Sequence, residues 1–141
     1  MLERAIEISV EAHKGQLDKG GSPYILHPLR VMGNVDGESE KIVAVLHDVV
    51  EDSNWTFEAL LAEGFSNEVI EALKSVTKNS DNEDYDSFIQ RAIRNPIGHK
   101  VKIADLRDNL DVTRIPDIGE KDLQRISKYK KALKTLIANQ A

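Results

Sequence analysis

The stretch that decides the fold is IVAVLHDVVED, residues 42–52. Its first five residues are apolar without interruption, so we expect them to enter a packed core. The six residues that follow, 47–52, carry one imidazole and three carboxylates. Because unpaired charge is costly inside a protein, these groups must meet partners at the edge of that core.

The spacing within residues 47–52 predicts how the polar groups are arranged. In a helix, residues four apart lie on one face, so Glu51 is expected over His47 and Asp52 over Asp48. An adjacent imidazole and carboxylate can bind a divalent cation, and a carboxylate one turn later can move protons. The alternative is a polar helix end with a hydrogen-bonded histidine and solvated acids. Four such groups within six residues favour a metal-binding and catalytic site over a solvated helix end.

Length and composition restrict the class of protein. The chain has 141 residues, which suits a single domain over residues 1–141. It has no cysteine, which excludes disulfides, zinc–thiolate sites and thiol nucleophiles. A net charge of -5 argues against attachment to nucleic acid or to anionic lipid. With charged residues near the N-terminus and no long apolar run, a soluble, cytoplasmic protein is expected. The sequence does not determine its oligomeric state.

Apolar residues recur at three- and four-residue spacing, and strand patterns are nearly absent. The pattern predicts an all-α fold, a single compact helical bundle. Thr56 and Ser66 are expected N-caps, and residues 78–84 are expected to form a mobile polar loop. Helices are predicted at residues 2–14, 27–33, 38–52, 57–62, 67–77, 85–94, 97–112 and 121–138.

Three further segments have the composition to complete a site around the His-Asp pair. His27 precedes a proline, where its ring can be fixed early in a helix, although histidine is also an ordinary helix-start residue. Asp105 follows an apolar stretch, with Asn109 one turn later, and it can equally well pair with a neighbouring cation. Lys19 precedes two glycines in a loop that either holds phosphate or is a flexible surface turn.

These segments together resemble the HD-domain metal-dependent phosphohydrolases, most specifically the hydrolase domain of the RelA/SpoT alarmone enzymes. The resemblance runs over residues 5–110. Its motifs, in the family's order, are AHKGQ at 12–16, KGGSPYILHP at 19–28, VLHDVVEDS at 45–53 and VKIADLRDN at 101–109.

The resemblance implies a role for eight residues and a cofactor, usually manganese. It also implies an HD-domain fold and a phosphorylated nucleotide as substrate, within the stringent response. The implied metal ligands are His27, His47, Asp48 and Asp105, the implied catalytic carboxylates are Glu51 and Asp52, and the implied substrate-binding residues are Lys19 and Asn109.

The chemistry of such a constellation follows from its donors. Two imidazoles and two carboxylates leave positions on a six-coordinate ion for a water and a phosphate oxygen. The cation lowers the pKa of the water, and Glu51 or Asp52 orients it or accepts its proton. The expected enzyme is therefore a phosphoric ester hydrolase. The donor set fits one metal better than two, and mixed His/carboxylate ligation is also compatible with iron.

Two departures from the alarmone hydrolases bear on the substrate. At Asp18 those enzymes commonly carry an arginine that can lie against guanine, whereas an acid cannot stack in this way and repels phosphate. Residues 79–84 are acidic and polar, and no group for a second phosphate is evident between the His-Asp motif and Asp105. No synthetase segment follows in the chain. The preferred interpretation is a stand-alone hydrolase whose substrate is guanosine 3′-diphosphate 5′-(di/tri)phosphate. Another phosphoester remains the alternative substrate.

Two other classes of function remain as alternatives. One is an HD-fold nucleotide-binding sensor without efficient turnover, which the retention of both Glu51 and Asp52 disfavours. The other is an interaction module, for which an apolar cluster would have to be exposed, although core packing is its expected use. His13 and His99 lie outside the ligand set and are expected to be structural or exposed. The apolar cluster consists of Trp55, Phe57, Leu60, Leu61 and Phe65.

Overall fold

The structure is a computed structural model that describes residues 1–140, and the predicted all-α fold is confirmed. Among these residues the only extended pairing is an isolated antiparallel bridge between Leu17 and Pro23. The helices are α1 (Leu2–Ala12), α2 (Leu26–Gly33), α3 (Glu38–Leu46), α4 (Val49–Asp52), α5 (Phe57–Ala62), α6 (Asn67–Ser75), α7 (Tyr85–Arg94), α8 (Pro96–Asn109) and α9 (Glu120–Ala138), with a 3₁₀ turn at Val112–Arg114.

Helix α3 lies at the centre of the bundle, where α1, α2, α6 and α8 pack around it. Its apolar stretch enters the core as expected, since residues 43–46 are completely buried. Burying a valine or leucine side chain contributes about 1.5–3 kcal/mol, so this short helix is anchored firmly. The residues that follow it are therefore held in a fixed place.

The third predicted helix does not run unbroken from residue 38 to residue 52. It ends at Leu46, and α4 begins only at Val49. At the break, the His47 side chain donates through Nδ1 to the Ala44 carbonyl at 2.6 Å, while the His47 backbone N–H reaches the same oxygen at 3.4 Å. The side chain thus competes for a carbonyl of the last helical turn, which the periodicity of the sequence does not reveal.

Helix α8 joins two parts of the core. Its Val101 and Ala104 pack in the main cluster around α3, and its Ile103 and Leu106 pack in a second cluster with α7 and α9. Because apolar neighbours cover it on both sides, three charged residues of α8 are also buried. Those are Lys102, Asp105 and Asp108.

The expected N-caps are confirmed, and most helix bounds fall close to those predicted. Thr56 Oγ1 accepts from the Ala59 N–H at 3.1 Å, and Ser66 Oγ accepts from the Val69 N–H at 3.2 Å. Helix α8 ends at Asn109, short of the expected residue 112, because the chain turns there into the 3₁₀ segment.

The polar loop over residues 78–84 has an anchor that its composition did not indicate. Arg91 of α7 donates to both carboxylate oxygens of Glu83, and its other N–H groups reach the carbonyls of Lys74 and Thr77 at 2.8 Å. The guanidinium of Arg91 is the main cause that lowers the pKa of Glu83 to about 2. The loop is thereby tied to the ends of α6 and α7.

The apolar cluster around α5 serves mainly the core. Leu60 and Phe65 are buried, and Trp55 and Phe57 pack partly against the main cluster. Only Leu61, 46% exposed, faces solvent. Within residues 1–140, no helix combines the length and the apolar character that crossing a membrane requires.

A close approach between α8 and α6 gives the first prediction. A Cβ added at Gly98 would lie 2.0 Å from Ser75 Oγ and 3.2 Å from Ser75 Cβ. Gly98→Ala should therefore force the helices apart and lower the free energy of unfolding by about 1–3 kcal/mol, measured by urea denaturation. Gly33→Ala is the matched control, because nothing lies within 4 Å of its added methyl group. Equal stability of the two variants would contradict this account of the packing.

Candidate functional site

A cavity of about 510 Å³ opens at the centre of the bundle. Helices α2, α8 and α9, the segment after α3 and the loop around Lys19 contribute to its walls. Six of the eight residues singled out from the sequence line it, and the other two, His47 and Asp52, do not. The six are Lys19, His27, Asp48, Glu51, Asp105 and Asn109.

The structure brings the four expected metal ligands together. Asp105 Oδ1 lies 3.0 Å from His27 Nε2 and 3.3 Å from His47 Nε2. Asp48 Oδ2 lies 3.0 Å from His47 Nε2 and 3.8 Å from His27 Nε2. Donor atoms of His27, His47 and Asp48 all fall within 4.8 Å of one another. The break between α3 and α4 allows the neighbours His47 and Asp48 to turn toward one point.

Each of these four side chains is also held from outside the cluster. For His27, His47 and Asp105 the contact uses one atom and leaves another to face the centre, an arrangement common around metal ligands, whereas Asp48 uses Oδ2 for both. His47 Nδ1 donates to Ala44 O at 2.6 Å, His27 Nδ1 to Asp108 Oδ2 at 2.6 Å, Lys102 Nζ to Asp105 Oδ2 at 2.9 Å, and Tyr24 OH to Asp48 Oδ2.

The charges in the cluster are mutually dependent. Burial alone would raise the pKa of Asp105, but Lys102 and the two histidines hold it well below its usual range. Burial likewise opposes the charge on His47, yet the carboxylates of Asp48 and Asp105 raise its pKa well above the ordinary value. The pKa of Asp48 falls to about 2, because its histidine neighbours outweigh its burial. The carboxylates therefore remain ionised and require positive charge beside them.

The donor set fits a divalent cation. His47 Nε2 is buried without a hydrogen-bond partner that satisfies it, and it faces the carboxylates of Asp48 and Asp105. Imidazole nitrogen with carboxylate oxygen is a ligand set that manganese, iron and zinc all accept. A cation at this point would satisfy that nitrogen and neutralise both acids.

The two expected catalytic carboxylates occupy different surroundings. Glu51 lines the cavity, and its Oε1 accepts from the Lys78 backbone N–H at 2.7 Å. Asp52 is exposed and does not line the cavity, and partial burial together with the Asp48 carboxylate raises its pKa. Of the pair, Glu51 is the one that directly faces the space beside the four ligands.

The expected substrate-binding residues lie on two walls of the cavity. Lys19 is exposed at the rim, where partial burial and the nearby Arg125 lower its pKa. Asn109 Nδ2 donates to Asp105 Oδ1 at 3.1 Å, so its amide also helps to orient that carboxylate. The two histidines expected to be structural lie outside the cluster: His13 is buried beside Gln16, and His99 bonds the Leu136 carbonyl.

Cationic and aromatic side chains from α9 are the part of the cavity that sequence reasoning missed. Arg125, Lys128 and Tyr129 line it, together with Lys78 from the polar loop. Lys128 Nζ lies 4.3 Å from the centre of the Tyr85 ring. The spacing of the three α9 residues puts them on one helix face, but only the packing of α9 against α7 and α8 reveals what they face.

Asp18 lines the cavity and also shapes the loop that contains Lys19. Its Oδ1 accepts from the backbone N–H groups of Gly20 and Ser22, both at 2.9 Å. Gly20 in turn sits so close to the 3₁₀ turn that a Cβ there would lie 2.3 Å from the Arg114 carbonyl oxygen. Asp18 therefore has a structural use that an arginine at this position could not supply.

Known proteins resemble the chain in sequence, although no protein-family model matches it. The probable GTP pyrophosphokinase of Mycobacterium leprae (strain TN) is 34% identical over 127 residues, which are 81% of this chain and 16% of that protein. The guanosine-3′,5′-bis(diphosphate) 3′-pyrophosphohydrolase of Aquifex aeolicus (strain VF5) is 32% identical over 120 residues, 77% of this chain and 17% of that protein. The chain thus spans less than a fifth of either relative.

A solved structure has the same fold. It belongs to work described as "A metazoan ortholog of SpoT hydrolyzes ppGpp and plays a role in starvation responses". The TM-score is 0.79 at 24% sequence identity, and the match covers 99% of this chain and 87% of that chain. The likeness extends over all the helices that carry the cavity.

Proposed function

Because the chain resembles the hydrolase domain of the RelA/SpoT alarmone enzymes and shares the helical HD-type fold of a SpoT ortholog, we propose that it is a metal-dependent phosphohydrolase. The proposed substrate is guanosine 3′-diphosphate 5′-(di/tri)phosphate. The observation that carries the proposal is the convergence of two histidines and two aspartates beside a cavity that lysine and arginine side chains also line.

The proposed metal ligands are His27, His47, Asp48 and Asp105, and manganese is the proposed ion. A bound ion of this kind supplies Lewis acidity and lowers the pKa of a coordinated water. The support for this assignment is the buried, unsatisfied Nε2 of His47 and the two ionised carboxylates beside it.

The proposed chemical step is attack by water on the outer side of the ester bond to the 3′ oxygen. The new bond joins the water oxygen to the phosphorus next to the ribose 3′ oxygen, and the bond from that phosphorus to the 3′ oxygen breaks. The 3′ oxygen leaves with the bonding electrons and takes up a proton from solvent, and the products are pyrophosphate and guanosine 5′-(di/tri)phosphate. Glu51 takes the proton of the water, and Asp52 assists from the next position. The hydrogen bond from the Lys78 N–H holds Glu51 toward the cavity.

The cationic residues are proposed to bind and orient the phosphate groups. Lys19 and Asn109 are assigned to the nucleotide, as the resemblance implies. Lys78, Arg125 and Lys128 lie on the other walls of the same cavity and can hold the second phosphate group. Lys78 belongs to the segment between the His-Asp motif and Asp105, where the sequence showed no evident group for a second phosphate, and Arg125 and Lys128 come from α9.

The proposed setting is the cytoplasm, within the stringent response. A single domain over residues 1–141 stays a prediction, as does the absence of nucleic-acid and membrane partners. The net charge of -5 supports the latter, because it disfavours broad attachment to polyanions.

A nucleotide sensor with little turnover is the second candidate. Two observations favour it: Asp18 replaces the stacking arginine of the alarmone hydrolases, and Asp52 lies outside the cavity. The two candidates share ligand and metal, so only turnover separates them.

A pyrophosphate- and phosphate-release screen of the purified chain tests the proposal. With Mn²⁺ present, we expect pyrophosphate release from the guanosine 3′-diphosphate and little from a guanosine 5′-diphosphate that lacks the 3′ group. Binding of the alarmone without release would favour the sensor. Faster phosphate or pyrophosphate release from another phosphoester would show that the alarmone is not the preferred substrate, while the assignment as a phosphohydrolase would stand.

Removal of a proposed ligand should abolish metal binding. In His47→Ala or Asp48→Ala we expect loss of bound Mn²⁺, measured by metal analysis after dialysis. The apoprotein should also be destabilised, because removing one member of a buried charged pair costs about 3–5 kcal/mol. His99→Gln is the control, since His99 lies outside the cluster and should leave metal content unchanged. Full occupancy in either ligand variant would refute the assignment.

Substitution of the two acids should separate chemistry from metal binding. Glu51→Gln and Asp52→Asn keep the shape of each side chain while removing the base, so Mn²⁺ should remain bound. Turnover should fall by about 10²–10⁴-fold where the residue handles the proton. We expect the larger loss for Glu51→Gln, because Glu51 lines the cavity. Near-normal turnover in both variants would remove the carboxylates from the mechanism.

A further inference from the structure

The carboxylate of Asp108 connects the proposed metal site to two arginines. Its Oδ2 lies 2.6 Å from His27 Nδ1, and Arg30 donates to Oδ1 at 2.8 Å and to Oδ2 at 3.1 Å. Arg114 Nη2 approaches Oδ1 at 3.4 Å and donates to the Asp108 backbone carbonyl at 2.8 Å. The side chain is 7% exposed, so these contacts account for nearly all of its surroundings.

The partners of Asp108 determine the direction of its hydrogen bond to His27. A carboxylate gripped by the fork of Arg30 is ionised and can only accept. His27 Nδ1 must therefore carry a proton, which makes Nε2 the ring nitrogen that can present a lone pair to a cation. That nitrogen faces the centre of the cluster, 3.0 Å from Asp105 Oδ1 and 3.8 Å from Asp48 Oδ2.

The second histidine is arranged in the same way with a different partner. His47 Nδ1 donates at 2.6 Å to the Ala44 carbonyl, which is neutral, whereas His27 donates at 2.6 Å to an anion. A carboxylate partner raises the basicity of the ligating nitrogen more than a carbonyl does. The two imidazoles therefore differ in donor strength.

We propose that Asp108 is a positioning residue that fixes His27 in its metal-binding tautomer and strengthens Nε2 as a donor. The inference rests on the proposed metal site and deepens it. Arg30, three residues after His27 on α2, holds the carboxylate in place, so α2 and α8 are joined at the point where each supplies a ligand. The motif carried by residues 101–109 assigns no role to this aspartate.

Metal affinity distinguishes positioning from a purely structural role. If Asp108 only tied α2 to α8, its loss would lower stability and leave the Mn²⁺ affinity of the folded protein unchanged. If it positions His27, affinity falls in protein that remains folded. Loss of such an outer partner typically weakens metal binding by about 10–100-fold.

The test is calorimetric titration of the full chain with Mn²⁺ alone, for wild type, Asp108→Ala and Asp108→Asn. We expect Asp108→Ala to weaken binding by about 10–100-fold and Asp108→Asn to weaken it less, because an amide oxygen can still accept from Nδ1. Asp111→Asn is the matched control: Asp111 also pairs with Arg114, at 2.9 Å, but has no contact with His27. Its Mn²⁺ affinity should match that of wild type.

A spectroscopic measurement reads the tautomer directly. In ¹⁵N-histidine NMR spectra of the metal-free chain, recorded at a pH where its imidazoles are neutral, His27 should show a protonated Nδ1 in wild type and a weakened or mixed signal in Asp108→Ala. Wild-type affinity together with an unchanged His27 signal would overturn the proposal. If Asp108→Ala does not fold, the same two criteria apply to Asp108→Asn.

The outcomes separate this inference from the proposed function. Mn²⁺ binding that depends on Asp108, without any pyrophosphate release, would reject the enzyme and retain the positioning role. Failure of the wild-type chain to bind Mn²⁺ would reject both. Hydrolysis and Mn²⁺ binding that are both insensitive to Asp108 would reject the positioning role alone.

Discussion

The structure depends on keeping ionised carboxylates buried beside imidazoles at the centre of an apolar bundle. Asp105 is 5% exposed, and an isolated charge at such a depth would be strongly destabilising. Lys102, one turn earlier on α8, is buried with it and donates to Oδ2, while both histidines face Oδ1. The surrounding helices are arranged so that these charges never lack partners. The cost of burial is offset only while that geometry persists.

The apolar stretch of α3 and the polar residues after it act as one unit. Complete burial of Val45 and Leu46 fixes the end of the helix, and the Ala44 carbonyl at that end then orients the His47 ring. A ligand on a mobile loop would need ordering each time the ion binds. Here the ordering accompanies folding, because the same residues that build the core determine where the ligands point.

The parts of the structure that the sequence predicted are those determined locally. Helix periodicity and the caps at Thr56 and Ser66 depend on neighbours within one or two turns, and the motifs around His47 and Asp105 carry their own spacing. The break after Leu46 escaped prediction because it depends on a side-chain hydrogen bond. The position of Lys128 over Tyr85 and the contact of Asp108 with His27 depend on packing across 43 and 81 residues of sequence, which no local pattern records.

The distribution of charge around the cavity resolves an apparent conflict between an acidic chain and an anionic substrate. The net charge of -5 disfavours approach of a polyphosphate over most of the surface. At the cavity, however, Lys19, Lys78 and Lys128 are among the lining residues. The acids there are largely neutralised by their own partners, so the local field comes from the lysines and, in the proposed enzyme, from the metal. Field lines that converge on a cleft with low-dielectric walls are stronger than those over an open surface, and they would orient phosphate groups toward the cluster. An overall acidic chain can thus select one anion at one place.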